Sequence, residues 1–185
     1  VCDWLIDRAR DRLVRAEVYD PVAQRDFVSE TRTNTAAKFN LVETDVVQLL
    51  MQQRMSACCG IPVHHMEGAA VLHYAPGEQM TDHYDFVDPR TPGYELEIAR
   101  NGQRVVTFLV YLNGDYAGGE TDFPRLGVRY KGRRGDGLCF TNALPDGEPD
   151  LRALHGGLPP TRGEKWLLSQ FVRSRPTRPA NEVRP

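Results

Sequence analysis

Four polar residues of this chain have the types expected of a metal site and of its anionic ligand. His83 and Asp85 are separated by one residue, His155 follows far downstream, and Lys165 comes ten positions later. Two imidazoles and one carboxylate suit an open-sided Fe(II) site, because three protein ligands on one face leave the opposite face free. The lysine adds a cation that could hold the far carboxylate of an organic acid. Together these residues favour oxygenase chemistry.

The histidine–aspartate pair is weak evidence when taken alone. In a strand, alternate residues point to the same face, so His83 and Asp85 could reach one ion. In a polar turn, His83 would instead be an ordinary surface residue. His155 ends a predicted strand over residues 151–155, and an antiparallel neighbour could bring it to the same ion. Three other histidines compete for a ligand role: His64 and His65 in a predicted loop, and His73 in an apolar strand.

A zinc hydrolase is an alternative on ligand types alone, since two histidines and a carboxylate also occur in catalytic zinc sites. Lys165 separates the two hypotheses. It lies at the start of an apolar run, where its alternative role is that of a lysine extending to water. A hydrolase has no particular use for it, whereas an oxygenase that buries a dicarboxylate needs a paired charge.

The first sixty residues are predicted to be mainly helical. Apolar residues recur at helical spacing between positions 4 and 14, and again over residues 44–58. The second helix is expected to begin at Thr44-Asp45, to end at Gly60-Ile61-Pro62, and to face the core with an apolar stripe. That stripe contains Val46, Val47, Leu49, Leu50, Met51 and Met55. Residues 31–40 are polar, which is typical of a loop or an irregular edge strand.

From Glu67 onward, short apolar runs alternate with connections rich in glycine and proline. Strands are predicted at residues 69–74, 105–112, 121–123, 138–140, 151–155 and 165–172. This pattern predicts an α+β fold with a mainly β, jelly-roll core and helices packed outside it. We expect a single domain over residues 1–173, with 1–60 as helical support and 61–173 as the β core. Residues 174–185, rich in proline and arginine, are predicted to form a mobile tail.

Composition narrows the class of protein. The chain has 185 residues, 41% of them hydrophobic, and a formal net charge of −2, which gives no reason to expect a nucleic-acid or membrane surface. No apolar run approaches the roughly 20 residues of a membrane span. Adjacent Cys58 and Cys59 favour reduced, mostly buried thiols and a cytoplasmic location. The first residue is Val rather than Met, so a removed leader stays open.

Nine short segments share their order and spacing with a known family. They are His73-Tyr74-Ala75-Pro76-Gly77, His83-Tyr84-Asp85-Phe86, Gly102-Gln103-Arg104-Val105-Val106-Thr107, Tyr111-Leu112-Asn113, Gly118-Gly119-Glu120-Thr121-Asp122-Phe123-Pro124, Gly135-Asp136, Phe140-Thr141-Asn142, His155-Gly156-Gly157 and Gly163-Glu164-Lys165-Trp166. On these segments, residues 67–171 resemble the prolyl 4-hydroxylase-like branch of the Fe(II)- and 2-oxoglutarate-dependent dioxygenases.

The resemblance implies a double-stranded β-helix that uses Fe(II), with 2-oxoglutarate and O₂ as cosubstrates and ascorbate as a supporting reductant. It assigns the iron to His83, Asp85 and His155. It implies that Lys165 binds the distal carboxylate of 2-oxoglutarate, with Thr121 donating a hydrogen bond beside it and Tyr74 reaching the same molecule.

The resemblance also implies hydroxylation of a prolyl residue in a peptide or protein. Arg104 matches a substrate-contacting arginine of the family, although a strand-edge arginine in a surface ion pair is the alternative. Two positions depart from the family: Met80 replaces an aromatic residue before His83, and Phe171 replaces a tryptophan after Lys165. Both departures leave the substrate open. A free amino acid or small metabolite is the alternative substrate, and a non-catalytic binding module is the alternative outside the class.

Overall fold

The computed structural model describes residues 1–20 and 25–177. These ranges contain three α-helices: α1 (Cys2–Arg10), α2 (Val46–Cys59) and α3 (Tyr94–Asn101). They contain fourteen strands: β1 (Val14–Arg15), β2 (Glu17–Asp20), β3 (Arg25–Val28), β4 (Thr35–Lys38), β5 (Ala70–Tyr74), β6 (Met80–His83), β7 (Arg104–Tyr111), β8 (Ala117–Gly118), β9 (Thr121–Phe123), β10 (Val128–Tyr130), β11 (Gly137–Thr141), β12 (His155–Gly157), β13 (Pro160–Arg162) and β14 (Lys165–Arg173). None of the helices in these ranges has the length and apolar character needed to cross a membrane.

Two antiparallel sheets form the body of the protein. The larger has the strand order β1-β4-β5-β14-β7-β11, and the smaller has the order β10-β9-β12-β6. Consecutive strands of the core alternate between the sheets at several points, as β5, β6 and β7 do, which is typical of a double-stranded β-helix. The predicted α+β fold with a mainly β, jelly-roll core is confirmed.

The two faces of the larger sheet have different neighbours, because successive side chains of a strand point in opposite directions. Along β7, Val106 and Phe108 join the cluster that includes Leu5 and Ala9 of α1 and Met55 of α2. The intervening residues face the other way. Of these, Leu109 and Tyr111 pack with Tyr74 and Leu167, and Met80 and Tyr130 of the smaller sheet contact the same cluster. Side chains from strands of both sheets can therefore meet in the interior between the sheets and form a site there.

Helix α2 begins and ends as predicted. The Asp45 side chain accepts a hydrogen bond from the backbone N–H of Gln48 at 2.8 Å, and the Gln48 side chain accepts one from the backbone N–H of Asp45 at 3.2 Å. Such a capping box satisfies donors that the first helical turn leaves free. Gly60 ends the helix in the left-handed conformation, at a φ of 73°, where glycine has no steric penalty.

The predicted apolar stripe of α2 is confirmed only for Met55, which is buried, and Met51, which packs against the core; for the rest it is wrong. Its buried residues are Gln48, Gln52 and Met55, whereas the stripe residues Val46, Leu49 and Leu50 are exposed. The glutamines can be buried because each has partners. The amide of Gln48 accepts from Arg8, and that of Gln52 donates to Gln170 of β14 at 3.1 Å.

The structure corrects two further predictions of secondary structure. Residues 35–38 form an interior strand of the larger sheet between β1 and β5, with Ala36 and Ala37 buried, rather than a loop or an edge strand. Together with β1 to β3, this strand makes the first sixty residues less helical than predicted. The predicted strand over residues 151–155 is also wrong, because Leu151–Ala153 is a 3-10 turn and β12 begins at His155.

The C-terminal residues that the structure describes are held in place. Ser174 Oγ accepts a hydrogen bond from the backbone of Gln103, and the backbone N–H of Thr177 donates to the carbonyl of His64. The predicted mobile tail over residues 174–185 stays a prediction, and its residues 178–185 lie outside the described residues. The division into a single domain over residues 1–173 stays a prediction.

All four cysteines are free, in agreement with the prediction of reduced thiols. The prediction that most of them are buried is wrong. Cys58 and Cys139 are exposed, and Cys2 and Cys59 are partly exposed.

Candidate metal centre

His83, Asp85 and His155 converge in the interior between the two sheets. Their candidate ligand atoms all lie within 4.8 Å of one another. His83 Nε2 is 3.5 Å from Asp85 Oδ1, and His155 Nε2 is 3.6 Å from Asp85 Oδ2. Within residues 1–20 and 25–177 this is the only group of three histidine, cysteine or acidic side chains with such spacing. The arrangement matches the three-residue ligand set that the sequence singled out.

Strand pairing delivers the two histidines. In the smaller sheet, His155 of β12 is the direct antiparallel partner of His83 of β6. Gly156 of β12 eases this approach, since a Cβ there would lie 2.6 Å from an Asp82 side-chain oxygen and 3.2 Å from the carbonyl oxygen of Met80. The predicted delivery of His155 by an antiparallel neighbour is therefore what the structure shows.

Asp85 is positioned differently from the sequence expectation. Strand β6 ends at His83, and Asp85 lies two residues beyond it in a bend. The alternation of side chains within a strand therefore does not explain how Asp85 reaches the histidines. Its carboxylate instead accepts a hydrogen bond from Thr107 Oγ1 of β7 at 2.8 Å.

Each imidazole is oriented by its own backbone. His83 Nδ1 lies 2.9 Å from the carbonyl oxygen of Thr81, and His155 Nδ1 lies 2.9 Å from that of Ala153. A carbonyl only accepts, so Nδ1 of each ring donates its proton to that carbonyl, and Nε2 is the atom that faces Asp85. In the neutral form of such a ring, Nε2 carries the lone pair that a metal ion would take. Burial lowers the pKa of His155, against the opposing effect of Asp85, and so favours this neutral form. Both rings are thus prepared as metal ligands.

Asp85 is ionised although it is buried. Burial alone would raise its pKa, but the imidazoles of His155 and His83 and the hydroxyl of Thr107 outweigh burial and hold the pKa well below its usual range. Two neutral nitrogen donors and one anionic oxygen donor on one side of a cavity fit Fe(II) with open coordination positions.

Lys165 is the second unusual feature of the interior. It is fully buried, and its Nζ has no hydrogen-bond partner among the described residues. Burial lowers its pKa to about 8, although Glu120 acts in the opposite direction. A buried cation without a partner is costly, so this ammonium group requires an anionic ligand. The structure therefore fits the carboxylate of 2-oxoglutarate as well as the metal.

Aromatic and hydroxyl groups surround this ammonium. Lys165 Nζ lies 5.2 Å from the ring centre of Tyr74 and 5.7 Å from that of Tyr111. Tyr111 Oη and Thr121 Oγ1 are 2.7 Å apart, and both residues are buried. Burial raises the pKa of Tyr74 to about 12 and also raises that of Tyr111, so both phenols stay protonated. The structure thus brings Tyr74 and Thr121 to the lysine end of the interior, where the sequence placed them.

Sequence reasoning missed three residues near these groups: Thr107, Tyr111 and Asn142. The period-two pattern of β7 could have found the first two, because Thr107 and Tyr111 share the inner face of that strand. They are separated by about 13 Å at roughly 3.3 Å per residue. Thr107 contacts the metal ligand Asp85, and Tyr111 lies beside Lys165, so this one strand face connects the two ends of the site.

Arg104 has a structural partner. Its guanidinium makes two hydrogen bonds to the carboxylate of Glu67, at 2.7 and 2.9 Å, and lies 3.8 Å from the ring centre of Phe171. This is the ion pair that the sequence left as the alternative, in a partly buried rather than a surface setting. A substrate contact by Arg104 stays a prediction, as does one by Met80, which is partly buried on β6 opposite Gly157.

The remaining histidines do not join the centre. His73 Nδ1 is 3.1 Å from Thr35 Oγ1, and its ring lies against Trp166 at 4.4 Å. His65 Nδ1 is 3.0 Å from the carbonyl oxygen of Arg173, and His64 lies beside it in a 3-10 turn. These contacts agree with the core and loop positions expected for the three residues.

With the geometry in place, comparison with known proteins identifies the family. The sequence profile of the 2OG-Fe(II) oxygenase superfamily matches residues 69–173, which include every residue assigned to the iron and to 2-oxoglutarate. The chain belongs to this superfamily. Fe(II) and 2-oxoglutarate are the metal and the cosubstrate for which this superfamily is named, and the residues described above fit both.

Two plant proteins similar to this chain are named prolyl 4-hydroxylases. It is 32% identical over 191 residues to the probable prolyl 4-hydroxylase 3 of Arabidopsis thaliana, covering 92% of this chain and 64% of the relative. It is 32% identical to the prolyl 4-hydroxylase 5 of the same plant, with shares of 92% and 63%. This chain thus spans less than two thirds of the length of these relatives.

The 2OG-Fe(II) oxygenase also resembles a solved structure over most of its length. The viral collagen prolyl hydroxylase of Paramecium bursaria Chlorella virus-1, in its complex with 2-oxoglutarate, is 27% identical. The alignment covers 94% of this chain and 90% of the viral chain, with a TM-score of 0.71.

Proposed function

We propose that this protein is an Fe(II)- and 2-oxoglutarate-dependent hydroxylase that acts on a prolyl residue of a peptide or protein. The observation that carries the proposal is the pairing of two features in one interior. A three-residue metal site lies at one end of the inner face of β7, and a fully buried, unpartnered lysine lies at the other. A zinc hydrolase would need only the first feature.

The substrate is proposed from the relatives. Two plant relatives are named prolyl 4-hydroxylases, and the viral relative is named a collagen prolyl hydroxylase. A peptide or protein substrate therefore fits this chain better than a free amino acid. Met80 and Phe171 replace aromatic residues of the family, so we expect the sequence preference around the target proline to differ from that of the relatives.

The residues at the two ends of the interior have different roles in the proposed reaction. His83, Asp85 and His155 would hold Fe(II), which supplies the oxidising chemistry that couples decarboxylation of 2-oxoglutarate to insertion of one oxygen atom into a C–H bond. Asp85 offsets one of the two positive charges of the ion, and the remaining positive charge favours an anionic cosubstrate.

At the other end, Lys165 would pair with the distal carboxylate of 2-oxoglutarate. The surrounding burial strengthens this ion pair because it excludes water. Tyr74, Tyr111 and Thr121 are protonated there and can donate hydrogen bonds to carboxylate oxygens. A cytoplasmic location is part of the proposal, since all four cysteines are free thiols.

The experiment is a turnover assay with Fe(II), ascorbate, 2-oxoglutarate and a library of proline-containing peptides. We expect succinate together with peptide products heavier by one oxygen atom on proline. His155→Gln should abolish both products, and His73→Gln, which alters a histidine outside the centre, should retain them.

Each other outcome points elsewhere. Products only from free amino acids would replace the peptide substrate with a metabolite. No succinate with any peptide or amino acid would contradict the hydroxylase proposal in favour of a binding module. Hydrolytic activity with zinc that ignores 2-oxoglutarate and survives Lys165→Ala would establish the hydrolase instead.

A further inference from the structure

We infer that Thr107 and Asn142 form a hydrogen-bonded relay that positions the Asp85 carboxylate for the metal. The inference rests on the metal site of the proposed function and adds two positioning residues to it. Neither residue belongs to the group of His83, Asp85 and His155 that offers the ligand atoms.

The relay consists of two short hydrogen bonds in series. Thr107 Oγ1 donates to Asp85 Oδ2 at 2.8 Å, and Asn142 Nδ2 donates to Thr107 Oγ1 at 2.8 Å. Thr107 and Asn142 are fully buried, and Asp85 is 7% exposed. Water therefore cannot readily replace either bond, and loss of one would leave polar groups unsatisfied.

The chemistry of the three groups fixes the direction of the relay. An ionised carboxylate only accepts hydrogen bonds, and an amide nitrogen only donates them. A hydroxyl has one proton and can also accept. Because the amide of Asn142 occupies an acceptor position on Thr107, the single hydroxyl proton is directed to Asp85. The hydroxyl therefore has one preferred rotamer, and the carboxylate has one fixed donor.

The backbone holds Asn142 in place from both sides. Its N–H donates to the carbonyl of Val105 at 2.8 Å, and its own carbonyl accepts from the N–H of Asp150 at 3.0 Å. Asn142 directly follows β11, which pairs with β7 through Thr141 and Val106. The relay thus connects the end of one strand to the middle of its neighbour.

An unsatisfied atom supports a positioning role for Asn142. Its Oδ1 is buried and has no hydrogen-bond partner among the described residues. Burying a free acceptor costs free energy, which an apolar residue of similar size would avoid. The donation from Nδ2 to Thr107 is the one side-chain bond that offsets this cost, so the residue is best explained by its effect on Thr107 and, through it, on Asp85.

The position of Asp85 explains why it needs such support. His83 and His155 are fixed by strand pairing and by bonds from Nδ1 to the backbone, whereas Asp85 lies in a bend beyond β6. Its carboxylate has no comparable restraint from its own strand. The relay supplies that restraint from the opposite sheet, because Thr107 belongs to β7.

The test measures binding of Co(II), a redox-stable substitute for Fe(II), to the full chain in the presence of 2-oxoglutarate. Thr107→Val removes the hydroxyl with little change in volume, and Thr107→Ser restores it. We expect Thr107→Val to weaken Co(II) binding by about 10- to 100-fold, as loss of hydrogen bonds to metal ligands typically does, and to change the Co(II) ligand-field spectrum. Thr107→Ser should recover most of the affinity and the wild-type spectrum.

Thr35→Val is the matched control. It removes a hydroxyl that bonds to His73 rather than to a metal ligand, so Co(II) affinity and spectrum should stay as in the wild type. Asn142→Ala, which keeps the hydroxyl but frees its rotamer, should weaken binding less than Thr107→Val. In the Thr107→Val background it should have no further effect on Co(II) affinity, since members of one relay are not additive.

Thermal melts without metal establish which variants fold. The relay is wrong if a folded Thr107→Val or Asn142→Ala protein binds Co(II) with wild-type affinity and spectrum. If Thr107→Val does not fold, Asn142→Ala decides the question by the same criteria. Failure of the wild type to bind Co(II) would instead contradict the metal site itself, so the two failures are distinguishable.

Discussion

Lys165 and Tyr74 are direct partners across the antiparallel pair β14 and β5, and the ammonium group lies 5.2 Å from the centre of the tyrosine ring. The pair lies at the end of the interior opposite Thr107, because Leu167 is paired with Tyr111 while Phe171 is paired with Thr107. A buried cation is thereby held at a fixed distance along the sheet from the metal ligands.

The charge of Lys165 predicts how 2-oxoglutarate binding depends on pH. Burial lowers the pKa of this lysine to about 8, so the ligand-free protein loses the ammonium charge as the pH rises above that value. A bound carboxylate stabilises the charged form. We therefore expect the affinity for 2-oxoglutarate to fall above pH about 8 and binding to take up a proton there. Calorimetry in buffers of different ionisation enthalpy measures this uptake, and Lys165→Met should abolish it.

The same pKa predicts the pH dependence of stability without 2-oxoglutarate. The folded-state pKa is lower than the ordinary lysine pKa of 10.5, so between pH about 8 and 10.5 the unfolded chain binds more protons at this residue. The contribution of Lys165 to the free energy of unfolding should therefore rise across this window. Denaturant titrations at several pH values give the free energy of unfolding, which should rise more steeply with pH in the wild type than in Lys165→Met. Equal slopes would contradict the lowered pKa.

Removal of a metal ligand should separate binding from folding. We expect His155→Gln to fold but to lose the rise in melting temperature that Co(II) gives the wild type, since two ligands cannot replace three. His73→Gln is the control, because that ring bonds to Thr35 and packs on Trp166 outside the centre. A metal-dependent shift that persists in His155→Gln would remove this histidine from the ligand set.

The ion pair of Arg104 allows its two possible roles to be distinguished. Glu67 accepts from both Arg104 and Arg173. Glu67→Gln should destabilise the fold by about 3 kcal/mol, because the partly buried Arg104 loses its charged partner and the buried Arg173 keeps only Glu97. A purely structural Arg104 predicts that Arg104→Met lowers the melting temperature without changing KM for the peptide. An increase in peptide KM, with 2-oxoglutarate KM unchanged, would show the substrate contact that the sequence predicted.

Substitutions at two glycines test whether the position of the Tyr111 ring matters for 2-oxoglutarate binding. A Cβ at Gly132 would lie 2.1 Å from the Tyr111 ring, whereas one at Gly137 would have no neighbour within 4 Å. Gly132→Ala must displace a ring that bonds to Thr121 beside Lys165, so it should cost about 1–3 kcal/mol of stability and weaken 2-oxoglutarate binding. Gly137→Ala should do neither. Thermal melts and 2-oxoglutarate titrations of the two variants check both expectations.

The sequence was sufficient for the features that depend on residue type and local spacing. The proposed ligand set His83, Asp85 and His155 was singled out from chemistry and motif order. Five strands of the β core, namely β5, β7, β9, β11 and β14, were found from apolar runs between turns. The capping pattern at Asp45 located the start of α2. Each of these signals lies within a few consecutive residues or within short motifs that members of the family share.

Only the tertiary structure decided which groups meet. Periodicity shows which residues share a face but not what covers that face. It therefore revealed neither the buried glutamines of α2 nor the partner of Arg104. Thr107 and Asn142 are 35 positions apart and meet because β7 pairs with β11. They reach Asp85 because Thr107 of β7 lies beside the bend that follows β6. Such contacts depend on strand register and sheet closure, which arise from the whole chain rather than from any one segment.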